Sequence, residues 1–98
     1  MEEIKFTKEL EDIRVTSLNT KVTFECEISR ENLKLEWYRG SKAIKRDLRH
    51  DIEAVGKTHR LVIDKVTSED VGDYRAEYLH LTTSGKLSVE GIVQVLIT

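Results

Sequence analysis

Ninety-eight residues, 39% hydrophobic and 35% charged, with five glycines and no proline, suit one domain and are too few for two. That composition excludes a collagen-like repeat, a proline-rich spacer and a disordered chain. Sixteen Lys and Arg against eighteen Asp and Glu leave a formal net charge of −2, so no global field draws nucleic acid or acidic lipid. An electrostatic partner must meet a local patch.

Ile4 and Phe6, followed by Leu10, Ile13 and Val15, predict a first strand that breaks near Thr7-Lys8-Glu9 and resumes. Between Lys21 and Ser29 the apolar residues Val22, Phe24, Cys26 and Ile28 alternate with polar ones, the period of a strand with one wet face. After a polar turn at Ser29-Arg30-Glu31-Asn32, Leu33, Leu35 and Trp37 take the inward parity. Gly40-Ser41 and Gly56-Lys57 bound a stretch whose apolar contacts are Ile44, Leu48, Ile52 and Val55, which predicts short edge strands. Leu61 and Ile63 alternate with Arg60, Val62 and Asp64. The corner Thr67-Ser68-Glu69-Asp70 has room for one short helical turn before Gly72. Tyr74, Ala76 and Tyr78 share the next inward face. A turn near Thr82-Thr83-Ser84-Gly85 then leads to a long last strand carrying Leu87, Val89, Gly91, Val93, Val95 and Ile97 on one face. No segment sustains a helical period, and seven or more short strands at regular spacing predict an all-β antiparallel sandwich.

Cys26 is the only cysteine, so no internal disulfide forms, whereas a small secreted domain usually carries paired cysteines. A reducing compartment is expected. There is no Asn-x-Ser/Thr acceptor, and Glu2 and Glu3 stand where a secretory signal needs basic residues. Residues 1–98 are therefore read as a single module, cut from a longer chain.

The residues that carry catalysis elsewhere are not arranged for it here. His50 and Asp51 are neighbours, but adjacent strand residues point to opposite faces and cannot act as a base and its orienter. Gly40-Ser41-Lys42 lacks the upstream glycine of a phosphate-cradling loop. His50, His59 and His80 are widely spaced and make no metal-ligand pair with one another or with Cys26. Cys26 sits at an inward position, unsuited to a reactive thiol. Arg14-Val15-Thr16-Ser17 resembles a basophilic kinase site only over a very short match. Charge is more informative: Arg39, Lys42, Lys45, Arg46 and Arg49 face a single acid, Asp47, within one short stretch, while residues 1–12 are mainly acidic. This basic stretch suits contact with an acidic partner or a neighbouring module.

Cys26, then Trp37 eleven positions on, then Leu61, then Asp70-Val71-Gly72-Asp73-Tyr74 resemble the signature of an immunoglobulin domain. The resemblance implies a tyrosine corner at Tyr74, Trp37 packed against Cys26, and an Arg49–Asp70 ion pair. Ala76 stands where extracellular members carry the second cysteine. That substitution, the split first strand and the phrase Gly56-Lys57-Thr58-His59-Arg60-Leu61-Val62-Ile63 resemble intermediate-set (I-set) domains of intracellular muscle proteins of the titin, obscurin and myosin-binding protein C class. What the resemblance implies is an I-set immunoglobulin-like sandwich without a disulfide, its structural core marked by Cys26, Trp37, Leu61, Asp70, Gly72, Tyr74 and Ala76. It further implies a non-enzymatic spacer or tether along a sarcomeric filament in the cytoplasm, with no cofactor, although a kinase domain elsewhere in the parent chain is compatible with it. The implied partners are neighbouring immunoglobulin or fibronectin-type domains and a sarcomeric filament protein, not nucleic acid or membrane. Docking on a sarcomeric partner through Arg39, Lys42, Lys45, Arg46 and Arg49 is the second expectation. An extracellular adhesion domain is the third.

Overall fold

The computed structural model describes residues 3–89, and all structural statements below concern these residues. Nine strands, β1 (Phe6–Lys8), β2 (Ile13–Val15), β3 (Val22–Ile28), β4 (Glu36–Arg39), β5 (Lys42–Ile44), β6 (His50–Val55), β7 (Thr58–Ile63), β8 (Gly72–Tyr78) and β9 (Leu81–Val89), are joined by turns and one 3-10 turn, Ser68–Asp70. They form two sheets, ordered β1-β3-β7-β6 and β2-β9-β8-β4-β5. All pairings are antiparallel except β2 with β9, which run parallel with Ile13, Arg14 and Val15 opposite Leu87, Ser88 and Val89.

Alternation decides which residues enter the space between the sheets. Val22, Phe24, Cys26 and Ile28 of β3 are buried, as are Leu61 and Ile63 of β7, Trp37 of β4, Tyr74 and Ala76 of β8 and Leu87 of β9. The Phe24 and Tyr74 rings stack with centroids 5.0 Å apart, one from each sheet, so aromatic packing bridges the two layers. Burial pushes the Cys26 thiol up to about 12, which leaves it protonated and inert at neutral pH.

His59 is also buried, opposite Cys26 in the β3–β7 register, and neither its Nε2 nor the Nε1 of Trp37 has a hydrogen-bond partner. Desolvation holds the His59 pKa below its ordinary value near 6.5. The unfolded chain therefore binds a proton more readily than the folded one. The stability this neutral imidazole contributes is complete above about pH 6.5 and falls as pH drops through that value toward the folded pKa. Urea unfolding followed between pH 7.5 and 5 is expected to show this fall, with a slope from this one group of at most ~1.4 kcal/mol per pH unit. His59→Phe is expected to flatten it, and an equal slope in both proteins would exclude His59 as the source.

The structure bears out one strand expectation and corrects two. The first strand breaks after Lys8, within the expected Thr7-Lys8-Glu9, and residues 9–12 make the crossing between sheets. There the Leu10 amide donates to Thr83 Oγ1 at 3.0 Å, and the Lys86 amide donates to Asp12 Oδ1 at 2.9 Å. Thr82-Thr83-Ser84-Gly85 is not a turn. It lies inside β9, and the β8–β9 turn is Leu79-His80. Leu33 and Leu35 precede β4 without joining it, although Leu35 is buried. The positions from Gly91 to Ile97 fall outside the described residues.

Gly85 explains why a glycine sits in mid-strand. A Cβ there would lie 2.6 Å from the Glu11 carbonyl oxygen and 3.2 Å from the Phe24 ring. The crossing segment passes directly over the bare backbone. Gly85→Ala is expected to cost about 1–3 kcal/mol, because backbone cannot yield as a flexible side chain does. Chemical denaturation of the two proteins checks it, and a midpoint unmoved by the substitution would contradict the close approach.

Candidate interaction surface

The corner before β8 is built from short-range bonds around Asp70. Thr67 caps the 3-10 turn: its Oγ1 accepts from the Glu69 amide at 3.2 Å, and the Asp70 carboxylate accepts from the Thr67 amide at 2.8 Å. The Tyr74 hydroxyl donates to the Asp70 carbonyl at 2.5 Å, a tyrosine corner, and burial raises the phenol's pKa. Arg49 grips the same carboxylate with two nitrogens, at 2.6 and 3.3 Å, where the Asp70 side chain is only 6% exposed. Gly72 follows at φ +146°, a backbone conformation that side chains rarely adopt.

This corner divides the basic residues by role. Arg39 donates to the Glu69 carbonyl at 2.7 Å, and Arg49 is committed to Asp70. Arg46 pairs with Asp51 at 3.3 Å and donates to the Ile52 carbonyl. Lys42 and Lys45 are exposed and have no partner among the described residues. Arg39, Lys42, Lys45 and Arg49 line one open groove of about 240 Å³ with Asp47, Glu69 and Asp70, whereas Arg46 lies outside it. Of the five cations only the two lysines are free to meet a partner.

His50 pairs with a different acid from its sequence neighbour. Its Nδ1 lies 2.9 Å from Asp47 Oδ1, and that oxygen also accepts the Arg49 and His50 amides, each at 2.8 Å. The His50 hydrogen bond and these amides hold the Asp47 carboxyl down to about 2. The arrangement ties a loop and has no nucleophile. No group of three His, Cys, Asp or Glu side chains among the described residues is placed to hold a metal, and no helix there is long and apolar enough to cross a membrane.

The outer faces of both sheets carry paired charges that the sequence alone did not disclose. Across the first sheet Lys8, Glu25, Arg60 and Glu53 form a ladder of alternating sign, with spacings of 2.9, 2.9 and 3.9 Å, one residue from each of β1, β3, β7 and β6. On the second, Arg75 lies 4.5 Å from the centre of the Tyr38 ring and pairs with Glu77. The signal was present as charged residues at the polar positions of the strands, but register was needed to pair them.

Two sheets packed face to face, a tyrosine corner, a buried tryptophan and a first strand divided between the sheets define an immunoglobulin-class domain. The family model for the immunoglobulin I-set domain matches residues 4–90, and the chain belongs to that family. It is 29% identical to human fast-type myosin-binding protein C over 121 aligned positions, covering 95% of this chain and 10% of that protein. Domain I10 from titin superposes with a TM-score of 0.84 at 28% identity, covering 90% of this chain and 99% of that one. The I9–I11 tandem from titin gives 0.86 at 28% identity, covering 90% and 33%. The chain thus spans about a tenth of the human relative. Its relatives are sarcomeric multi-domain proteins.

Proposed function

We propose that this domain is a non-enzymatic module of a cytoplasmic, sarcomeric multi-domain protein and serves as a spacer or tether along a filament. The observation that carries this reading is the path of the chain. Lys5 bonds to Ser29 at the pole where β3 ends, while β2 and β9 run parallel and finish side by side at Val15 and Val89, at the opposite pole. Tension applied through the two ends therefore loads the β2–β9 backbone bonds in shear, all at once. Stretching a polymer of the domain is expected to give abrupt, single-step ruptures. Gradual extension without a force peak would sink the tether reading.

Lys42 and Lys45 support a second reading, docking on an acidic surface of the filament. The relative's name supplies the partner to try, myosin. Co-sedimentation with purified myosin filaments separates the two readings when wild type and Lys42→Glu/Lys45→Glu are compared at low and high salt. Binding lost on charge reversal and screened by salt supports docking, because exposed charges are screened beyond ~10 Å at 0.1 M. Equal, negligible binding by both supports the spacer.

A further inference from the structure

One lateral side of the sandwich is closed and the other is open. Beside β1 and β2 the chain crosses between the sheets at residues 9–12 and buries Leu10. The opposite edges are β5 and β6, which do not pair with each other, and a slot of about 540 Å³ lies there. Leu33, Leu35, Trp37, Ile44 and Ile52 give it apolar walls. Its volume falls in the range of small-molecule sites, about 300–1,000 Å³.

Two of the lining residues are deeply buried, and each brings a nitrogen without a partner. Trp37 comes from the second sheet and His59 from the first, each is 2% exposed, and neither Trp37 Nε1 nor His59 Nε2 has a hydrogen bond. Strand parity turns both side chains into the space between the sheets, His59 with Leu61 and Ile63 on the buried face of β7 and Trp37 on that of β4. Polar groups at such depth are almost always bonded. The sandwich itself supplies nothing to these two, and both border the slot.

The lining specifies what fits. The indole N–H only donates, whereas a neutral imidazole nitrogen donates or accepts according to its tautomer, so a hydroxyl, which accepts and donates through one oxygen, suits both. The charged lining residues Lys34, Glu36, Lys45, Arg46 and Glu53 are all exposed and of both signs. They stay at the rim. An ionised group carried down to Trp37 and His59 would leave water with no counter-charge beside it, which selects a neutral ligand. A flat ring enters between two sheets and gains aromatic packing against Trp37.

We infer that the slot between β5 and β6 is a binding site for a neutral phenol, which enters hydroxyl first, accepts from Trp37 Nε1 and bonds to His59 Nε2. The apolar walls hold the ring. A free aromatic alcohol and a tyrosine side chain of a partner segment present the same chemistry to it.

The experiment titrates p-cresol into the isotope-labelled 98-residue chain and follows proton–nitrogen correlation NMR, where the single tryptophan gives one indole signal. That signal is expected to move downfield and to saturate. p-Xylene, which has the same shape without the hydroxyl, is expected to bind roughly 3- to 10-fold more weakly, the effect of one net hydrogen bond. His59→Phe is expected to weaken p-cresol by a similar factor and to leave p-xylene nearly unchanged. Ala54→Phe, at an exposed position on the lining, fills the slot from its rim and is expected to abolish binding without moving the denaturation midpoint. N-acetyltyrosinamide separates the sources: binding equal to that of p-cresol supports a tyrosine of a partner chain, and binding by p-cresol alone supports a free small molecule. An indole signal that p-cresol does not move would overturn the inference. Equal affinity for p-cresol and p-xylene would reduce the slot to an apolar cleft, and p-cresol binding unchanged in Ala54→Phe would place the ligand elsewhere; either result rejects the site.

Discussion

Trp37→Ala is expected to cost about 3–5 kcal/mol, the range for truncating a large aromatic in a packed core. The side chain is 2% exposed, in the central part of the second sheet, with Ala76 opposite it on β8 and Ile44 opposite it on β5. A small residue on one flank and a half-buried one on the other give the neighbours little to collapse with, so the cavity persists. Native proteins have a total stability of about 5–15 kcal/mol, so a domain at the low end of that range is brought close to unfolding by this one change. Trp37→Phe is expected to cost less, because it also removes the Nε1 donor that is buried without a partner. Far-UV circular dichroism in urea measures both, the single tryptophan being lost as a fluorescent reporter. An Ala variant with the wild-type midpoint would remove Trp37 from the core.

The strands most open to reading from sequence were those with one wet face. In β3 every apolar residue was placed correctly, because Thr23, Glu25 and Glu27 cannot be inward without stranding charge or hydroxyl groups in the core. The β8–β9 turn was missed for a physical reason. Turns are recognised by residues that tolerate positive φ, and here a leucine occupies that conformation, while Thr82-Thr83-Ser84-Gly85 has the composition of a loop and the geometry of a strand. Gly85 marks a crossing of chains that no local pattern records. The short edge strands expected between Gly40 and Gly56 are there as β5 and β6, but Leu48 and Val55, counted among their apolar contacts, are among the most exposed apolar residues. The basic stretch was legible as a cluster, but the acceptors for Arg39 and Arg49 lie 30 and 21 residues further on, so their commitment to the corner appears only in the fold.

That commitment predicts opposite behaviour for cations that look alike in sequence. Arg49→Met is expected to cost about 3 kcal/mol, because it strips a buried carboxylate of its only charged partner. The Asp70 side chain, 6% exposed, would keep its bonds from Thr67, and these hold one oxygen only, since Arg49 alone reaches Oδ1. The loss reaches further than the pair. Asp70 also caps the 3-10 turn and positions the carbonyl that receives the Tyr74 hydroxyl, so loosening it disturbs the corner on which β8 begins. Lys42→Glu and Lys45→Glu, with no partner to lose, are expected to stay within roughly 0.5 kcal/mol of wild type. Denaturant midpoints of the three variants give the comparison. Should Arg49→Met unfold at the wild-type midpoint, the corner would not depend on the ion pair. Should the lysine variants fall by as much as Arg49→Met, the basic residues would act as one structural unit, and the two lysines would no longer be the free cations that docking requires.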